Sequence, residues 1–129
     1  MSATIDGVAW KALTAQMTVM NFGVAAATTV GATDKEAMVL VVSGTIAAGK
    51  TYACNSSSGN NFGYAVGATQ TERDNNNADT ETAGGSGTIK LDTYDGTNIS
   101  GTFSGTLVNP KTKKKVVVTN GAFSAKKAF

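Results

Sequence analysis

The sequence predicts an all-β domain, an antiparallel β-sandwich or flattened barrel of about 8–10 strands. Three observations carry that expectation. Ala, Val, Thr and Gly dominate, with 15 glycines against a single proline; Val and Thr favour strands, and glycine suits tight turns and bulges. No apolar repeat of 3.6 residues persists beyond about two turns. Short runs with period-2 alternation recur instead, bounded by turn residues. A length of 129 residues supports one domain with one core, and neither a second domain nor a strict internal repeat is visible.

At the front, Ala3-Thr4-Ile5 and Val8-Ala9-Trp10-Lys11-Ala12 flank Asp6-Gly7, a two-residue hairpin signal. Residues 16–22 (QMTVMNF) alternate as a strand. Residues 24–30 (VAAATTV) are ambiguous, because alanine favours helix while the threonines and flanking glycines favour an extended segment. Residues 33–36 read as a polar turn. Residues 37–43 (AMVLVVS) form a continuous apolar run, which predicts a central strand covered on both faces. Residues 51–54 are a short strand, residues 55–61 (NSSSGNN) a loop, and residues 62–66 (FGYAV) a strand that Thr69-Gln70-Thr71-Glu72-Arg73 could continue beyond Gly67. Residues 74–85 (DNNNADTETAGG) are the most polar segment and predict a long mobile loop.

The clearest signal lies in residues 87–125. Ile89 and Leu91 alternate with Lys90 and Asp92, and Tyr94-Asp95-Gly96 makes a turn. Ile99, Gly101, Phe103, Gly105 and Leu107 then share one face, and Ser100, Thr102, Ser104 and Thr106 the other. Pro110 ends that strand, since proline cannot donate to a ladder. Lys111 to Lys115 form a solvated tip, and Val116-Val117-Val118-Thr119 begin the return strand. Asn120-Gly121 reads as a β-bulge within that last strand, because Phe123 must still reach the core. Residues 126–129 are expected to fray.

Several chemistries are excluded by composition. With no histidine and one cysteine, the chain cannot build a Ser-His-Asp or Cys-His site, a histidine zinc site or a thiolate cluster. Cys54 reads as a small buried apolar residue and forms no intrachain disulfide. The net charge of +2 and the single arginine, Arg73, argue against nucleic acid as a partner. No apolar run reaches the roughly 18–20 residues of a transmembrane helix. Residues 1–6 lack the basic and apolar regions of a signal peptide, so an extracytoplasmic location would require a removed signal or another export route.

Four residues stand out as binding candidates. Trp10, the only tryptophan, reads as a core residue, with a stacking platform for a sugar as the sharper alternative. Lys113, Lys114 and Lys115 in the basic tip either discourage edge pairing or dock an acidic partner. Three further patterns invite chemistry. Gly44 to Thr51 spells GxxxxGKT, but a phosphate-binding loop needs a helix after it, and Thr51-Tyr52-Ala53-Cys54 is β-prone. Asp92 with Asp95, or Asp74 with Asp79 and Glu81, could form a hydrolytic carboxylate pair. Asp74-Asn75-Asn76-Asn77-Ala78-Asp79 is oxygen-rich like a calcium loop, yet lacks the glycine and bidentate glutamate at the required spacing.

Ile5-Asp6-Gly7 with Trp10, Gly49-Lys50-Thr51-Tyr52, Ile99-Ser100-Gly101-Thr102-Phe103-Ser104 and Thr119-Asn120-Gly121-Ala122-Phe123-Ser124 together resemble a family. It is the small all-β domain of unknown function found in secreted proteins and lipoproteins of Bacteroidota, and the resemblance spans nearly the whole chain. It implies a β-sandwich or calycin-like barrel and an extracytoplasmic role, with no catalytic residue; from the residues themselves no metal or cofactor is expected. The expected function is a non-enzymatic binding or structural module acting through its surface on a protein or glycan. The alternative is a cargo or effector carried by a large secretion or contractile-injection particle. A carboxylate-based hydrolase or nucleotide binder is the remote one.

Overall fold

A computed structural model of the chain describes residues 2–11, 16–20, 23–30, 36–43, 46–67 and 70–127. In order these form β1 (Ser2–Ile5), β2 (Val8–Lys11), β3 (Gln16–Met20), β4 (Gly23–Val30), β5 (Glu36–Ser43), β6 (Thr51–Cys54), β7 (Asn61–Val66), α1 (Gln70–Asn75), β8 (Ala78–Asp79), β9 (Ser86–Tyr94), β10 (Asn98–Val108) and β11 (Lys115–Lys127). The fold is all-β as the sequence predicts, and the two-residue β8 helps raise the strand number to eleven.

The strands hydrogen-bond in the order β2-β1-β11-β3-β4-β5-β7-β8-β10-β9-β6, and β10 also pairs with β11. The path β3-β4-β5-β7-β8-β10-β11 therefore returns on itself as a flattened barrel. Its weakest seam is β8, which meets β10 only at Val108↔Asp79 and β7 at two positions. The β1–β2 hairpin extends the sheet from β11, and β9 with β6 extends it from β10. Among the described pairings only β11 with β3 is parallel.

Alternation along each strand places the core between these walls. Met38, Leu40 and Val42 of β5, Phe62 and Tyr64 of β7, Ile89 and Leu91 of β9, Ile99, Phe103 and Leu107 of β10, and Val118 and Phe123 of β11 are all buried. Phe62 meets Phe103 edge-on at 5.7 Å between ring centroids, and Phe103 lies 6.2 Å from Phe123. Glycine makes room for these rings. A Cβ on Gly105 would lie 2.8 Å from Phe62 Cζ, and one on Gly101 would lie 2.9 Å from Phe123 Cζ and 2.0 Å from the Lys90 carbonyl oxygen. Large rings on one strand thus occupy the space that glycines vacate on the facing or neighbouring strand.

The Asp6-Gly7 hairpin forms as expected, with positive φ at both residues (49° and 82°) and register Ile5↔Val8. Residues 24–30 resolve as extended, within β4. At Asn120 (φ 51°) β11 bulges: Phe103 pairs with Gly121 but Gly105 with Val118, and β1 shifts register at the same place. Asn tolerates the left-handed conformation that such a bulge needs.

Four expectations are corrected. Gln70–Asn75 is a helix rather than a continuation of β7, consistent with the helix propensity of Gln, Glu and Arg and their lack of apolar alternation. Segment 74–85 is not one long loop: it holds the end of α1, then β8 and a hydrogen-bonded turn, in which Asp79 Oδ1 accepts from the Thr82 N–H (2.8 Å) and hydroxyl (2.8 Å). β5 is central in hydrogen bonding but covered on one face only, since Val39 is 37% exposed and Val41 half-buried; an antiparallel sheet can leave a face to solvent. Lys126 and Lys127 do not fray but pair with Gln16 and Met17 of β3. Phe22, Gly44, Thr45, Thr69, Ala128, Phe129 and the turn at residues 33–35 lie outside the described residues.

Candidate functional site

The β10–β11 tip is organised by Asn109, which is buried although it precedes the exposed Pro110. Its side-chain Oδ1 accepts from the backbone N–H of Lys111 (2.8 Å) and Thr112 (3.2 Å). Its Nδ2 donates to the Asn75 carbonyl at the end of α1 (3.1 Å). Its backbone exchanges bonds with Lys113 and Lys114. Lys111 Nζ adds a bond to Asn75 Oδ1. An Asn-Pro pair that initiates a turn here also fastens the basic tip to α1.

The Asp6-Gly7 turn is fixed just as firmly to β11. The Asp6 N–H donates to the Val117 carbonyl (2.8 Å), and the Val117 N–H donates to Asp6 Oδ1 (2.8 Å). Between this turn, the tip and the end of α1 opens a cleft of about 320 Å³. Tyr64, Ala78 and Val116 supply apolar surface to it, and Asp6, Asn76, Asn109, Thr112 and Lys114 polar groups. The volume falls in the lower part of the range of small-molecule sites, about 300–1,000 Å³, which share this mixture of apolar lining and few convergent polar groups. Asp6 and Lys114 both line the cleft, and among the described residues no ion pair joins them.

The structure sorts the four candidates from sequence. Lys114 lines the cleft, whereas Lys113 (φ 63°) and Lys115 are exposed on the same tip but do not line it. Trp10 is only 7% exposed and packs edge-on against Tyr64 at 6.2 Å, so its ring belongs to the core and not to a stacking platform. Asp6, Tyr64 and Asn109 were not singled out by sequence reasoning. Asp-Gly was legible as a turn and Pro110 as the end of a strand before a solvated tip, but nothing in one chain shows that two connections over 100 residues apart face each other.

The remaining patterns take other roles. The GxxxxGKT pattern leads into a strand, as its β-prone residues predict: β6 begins at Thr51, where a phosphate loop requires a helix. The Gly49 N–H is bound to the Leu91 carbonyl (2.7 Å), and Lys50 Nζ lies 5.0 Å from the Tyr52 ring centroid. Asp95 serves its turn, accepting from the N–H groups of Asn98 (2.7 Å) and Thr97 (2.8 Å), and these bonds hold its carboxyl below the ordinary aspartate range. Asp92 and Glu81 are exposed. The Asp79 carboxylate is engaged by Thr82 and by Asn77 Nδ2 (3.2 Å), and the Asp74 side chain lies outside the described residues. Among the described residues no three His, Cys, Asp or Glu side chains are grouped to hold a metal, and no helix is long and apolar enough to cross a membrane. Cys54 is buried, and burial pushes its thiol up to about 11, far from a reactive thiolate.

The model of one family, a domain of unknown function (DUF6252), matches residues 1–125. The chain belongs to this family. The DUF6252 match takes in every strand as far as Ala125 of β11, together with all the residues that line the cleft. No curated protein and no solved structure matches the chain.

Proposed function

We propose that this DUF6252 domain is a non-enzymatic, extracytoplasmic binding module of the Bacteroidota type, which seats a protein, a glycan or a fragment of one in the cleft between the β1–β2 turn and the β10–β11 tip. The observation that carries the reading is the cleft itself. Its walls belong to elements pinned by hydrogen bonds between side chains and backbone, so it exists before a ligand arrives, and a preformed site binds without a large ordering cost. The extracytoplasmic location rests on the family resemblance. The binding role is favoured over catalysis by the duties that Asp79 and Asp95 already perform in turns and by the protonated, buried Cys54.

Two measurements test this. Fractionating a producing culture into cells, membranes, medium and sedimentable particles locates the protein: membrane or medium supports the module, and co-sedimentation with large particles supports cargo instead. Backbone amide shifts recorded against panels of peptides, amino acids and sugars locate the site. Shifts confined to residues 5–8, 64, 76–78 and 109–117 are expected, and ligand-induced shifts elsewhere, with none there, would refute the cleft.

A further inference from the structure

The charges in the cleft narrow what it takes. Asp6 is held by two hydrogen bonds to Val117 that use its N–H and Oδ1, and among the described residues no further hydrogen bond or ion pair engages Oδ2. Lys114 is exposed and is tied down through its backbone, by the Asn109 N–H to its carbonyl (2.9 Å) and by its own N–H to Thr112 Oγ1 (3.2 Å). That second bond uses the Thr112 hydroxyl as acceptor and leaves its proton free to donate into the cleft that both residues line. The cleft therefore offers an acceptor of charge −1 on one side, donors including a charge of +1 on another, and Tyr64, Ala78 and Val116 as apolar surface.

From this juxtaposition of Asp6, Lys114 and the Tyr64–Ala78–Val116 surface, we infer that the cleft binds a small zwitterion: a free α-amino acid or short peptide with an apolar side chain. This deepens the proposed binding function and rests on it. The ligand ammonium meets Asp6, its carboxylate meets Lys114 and the Thr112 hydroxyl, and its apolar side chain covers Val116, Ala78 and the Tyr64 ring. Charge-assisted hydrogen bonds are roughly twice as strong as neutral ones. A neutral sugar would set both unit charges against dipolar hydroxyls as water leaves, and desolvated charges need charged partners. An anionic polymer or phosphate would be drawn to Lys114 but repelled by Asp6. Only a ligand carrying both signs satisfies the two groups together.

The test uses the full chain and defined probes: L-leucine, leucyl-leucine, N-acetyl-leucine, leucinamide and glucose, followed by calorimetry and amide shifts. Leucine or leucyl-leucine is expected to move the Asp6, Tyr64, Thr112, Lys114 and Val116 signals, and whichever binds more tightly identifies the source. Blocking either charge, in N-acetyl-leucine or leucinamide, is expected to weaken binding by at least about tenfold. So is Asp6→Asn, which keeps an acceptor for the Val117 N–H, and so is Lys114→Gln on the exposed tip. Lys113→Gln on the same tip is expected to leave affinity unchanged. Equal binding of blocked and free compounds, or cleft shifts with glucose alone, overturns the zwitterion while keeping the cleft as a site. Failure of every probe to shift the cleft overturns the inference, and if the broader panels fail there as well, the proposed function falls with it.

Discussion

Replacing Gly101 by alanine is expected to be the most damaging single-methyl change in β10. The added Cβ would lie 2.0 Å from the Lys90 carbonyl oxygen and 2.9 Å from Phe123 Cζ. Lys90 sits on β9, beside the register shift between Ser100 and Gly101. For the new carbon to reach even 3.0 Å, the two strands must part by about 1 Å, because a backbone carbonyl cannot rotate away as a side chain can. Parting lifts one or two ladder hydrogen bonds, each contributing about 0.5–1.5 kcal/mol net. Overpacking against Phe123 adds about 1–3 kcal/mol. The expected loss is about 2–5 kcal/mol, a large share of the roughly 5–15 kcal/mol by which a domain is stable. Gly96→Ala is the control: its φ of 89° strains alanine by about 1–2 kcal/mol, but nothing lies within 4 Å of its Cβ. Urea unfolding followed by circular dichroism compares the two. If Gly101→Ala proves no more destabilising than Gly96→Ala, the close approach of β9 and β10 does not limit that position and the reasoning fails.

Other expectations follow from the same contacts. Trp10→Ala should cost about 3–5 kcal/mol in denaturant, and wild-type tryptophan emission should be blue-shifted and poorly quenched by acrylamide. Cys54 should resist a thiol reagent near neutral pH until the chain unfolds. Because its folded thiol titrates near 11 against an ordinary 9.0, the stability it protects is whole below about pH 9 and is lost as pH rises toward 11; Cys54→Ala should flatten that slope. Asp95 works in the opposite direction. Its lowered pKa gives the β9–β10 turn stability that is present above the ordinary aspartate range and lost as acid protonates it, a loss that Asp95→Ala should abolish in a pH series. Lys50→Ala should leave the fold unchanged, and millimolar ATP should not bind either form, since the Gly49 N–H is already bound to Leu91.

What the sequence discloses here depends on the range of the interaction. Alternation exposes β9 and β10 almost residue for residue, because one buried face dictates Ile89, Leu91, Ile99, Phe103 and Leu107. The Asp6-Gly7 and Asn120-Gly121 signals were legible because left-handed backbone restricts residue choice at the site itself. The helix at Gln70–Asn75 was not, since its six residues follow a strand and carry no apolar stripe. β5 misled for a related reason: a run of Val and Leu reads the same whether one face is covered or both. The cleft escaped because its two charged residues lie on turns that only the closed sheet brings together.

The bond between Asp6 and Val117 spans 111 residues of chain. β1 has β2 as a neighbour as soon as the first hairpin forms, yet its other partner, β11, lies at the far end of the chain. Such remote pairing gives a high contact order, and domains rich in it fold in milliseconds to seconds rather than microseconds. During synthesis the first hairpin must wait, one edge unsatisfied, until β11 leaves the ribosome. The cleft is among the last features completed, and a ligand held there would favour the closed sheet over every partly folded form. Its occupancy would therefore report that both ends of the chain have found each other.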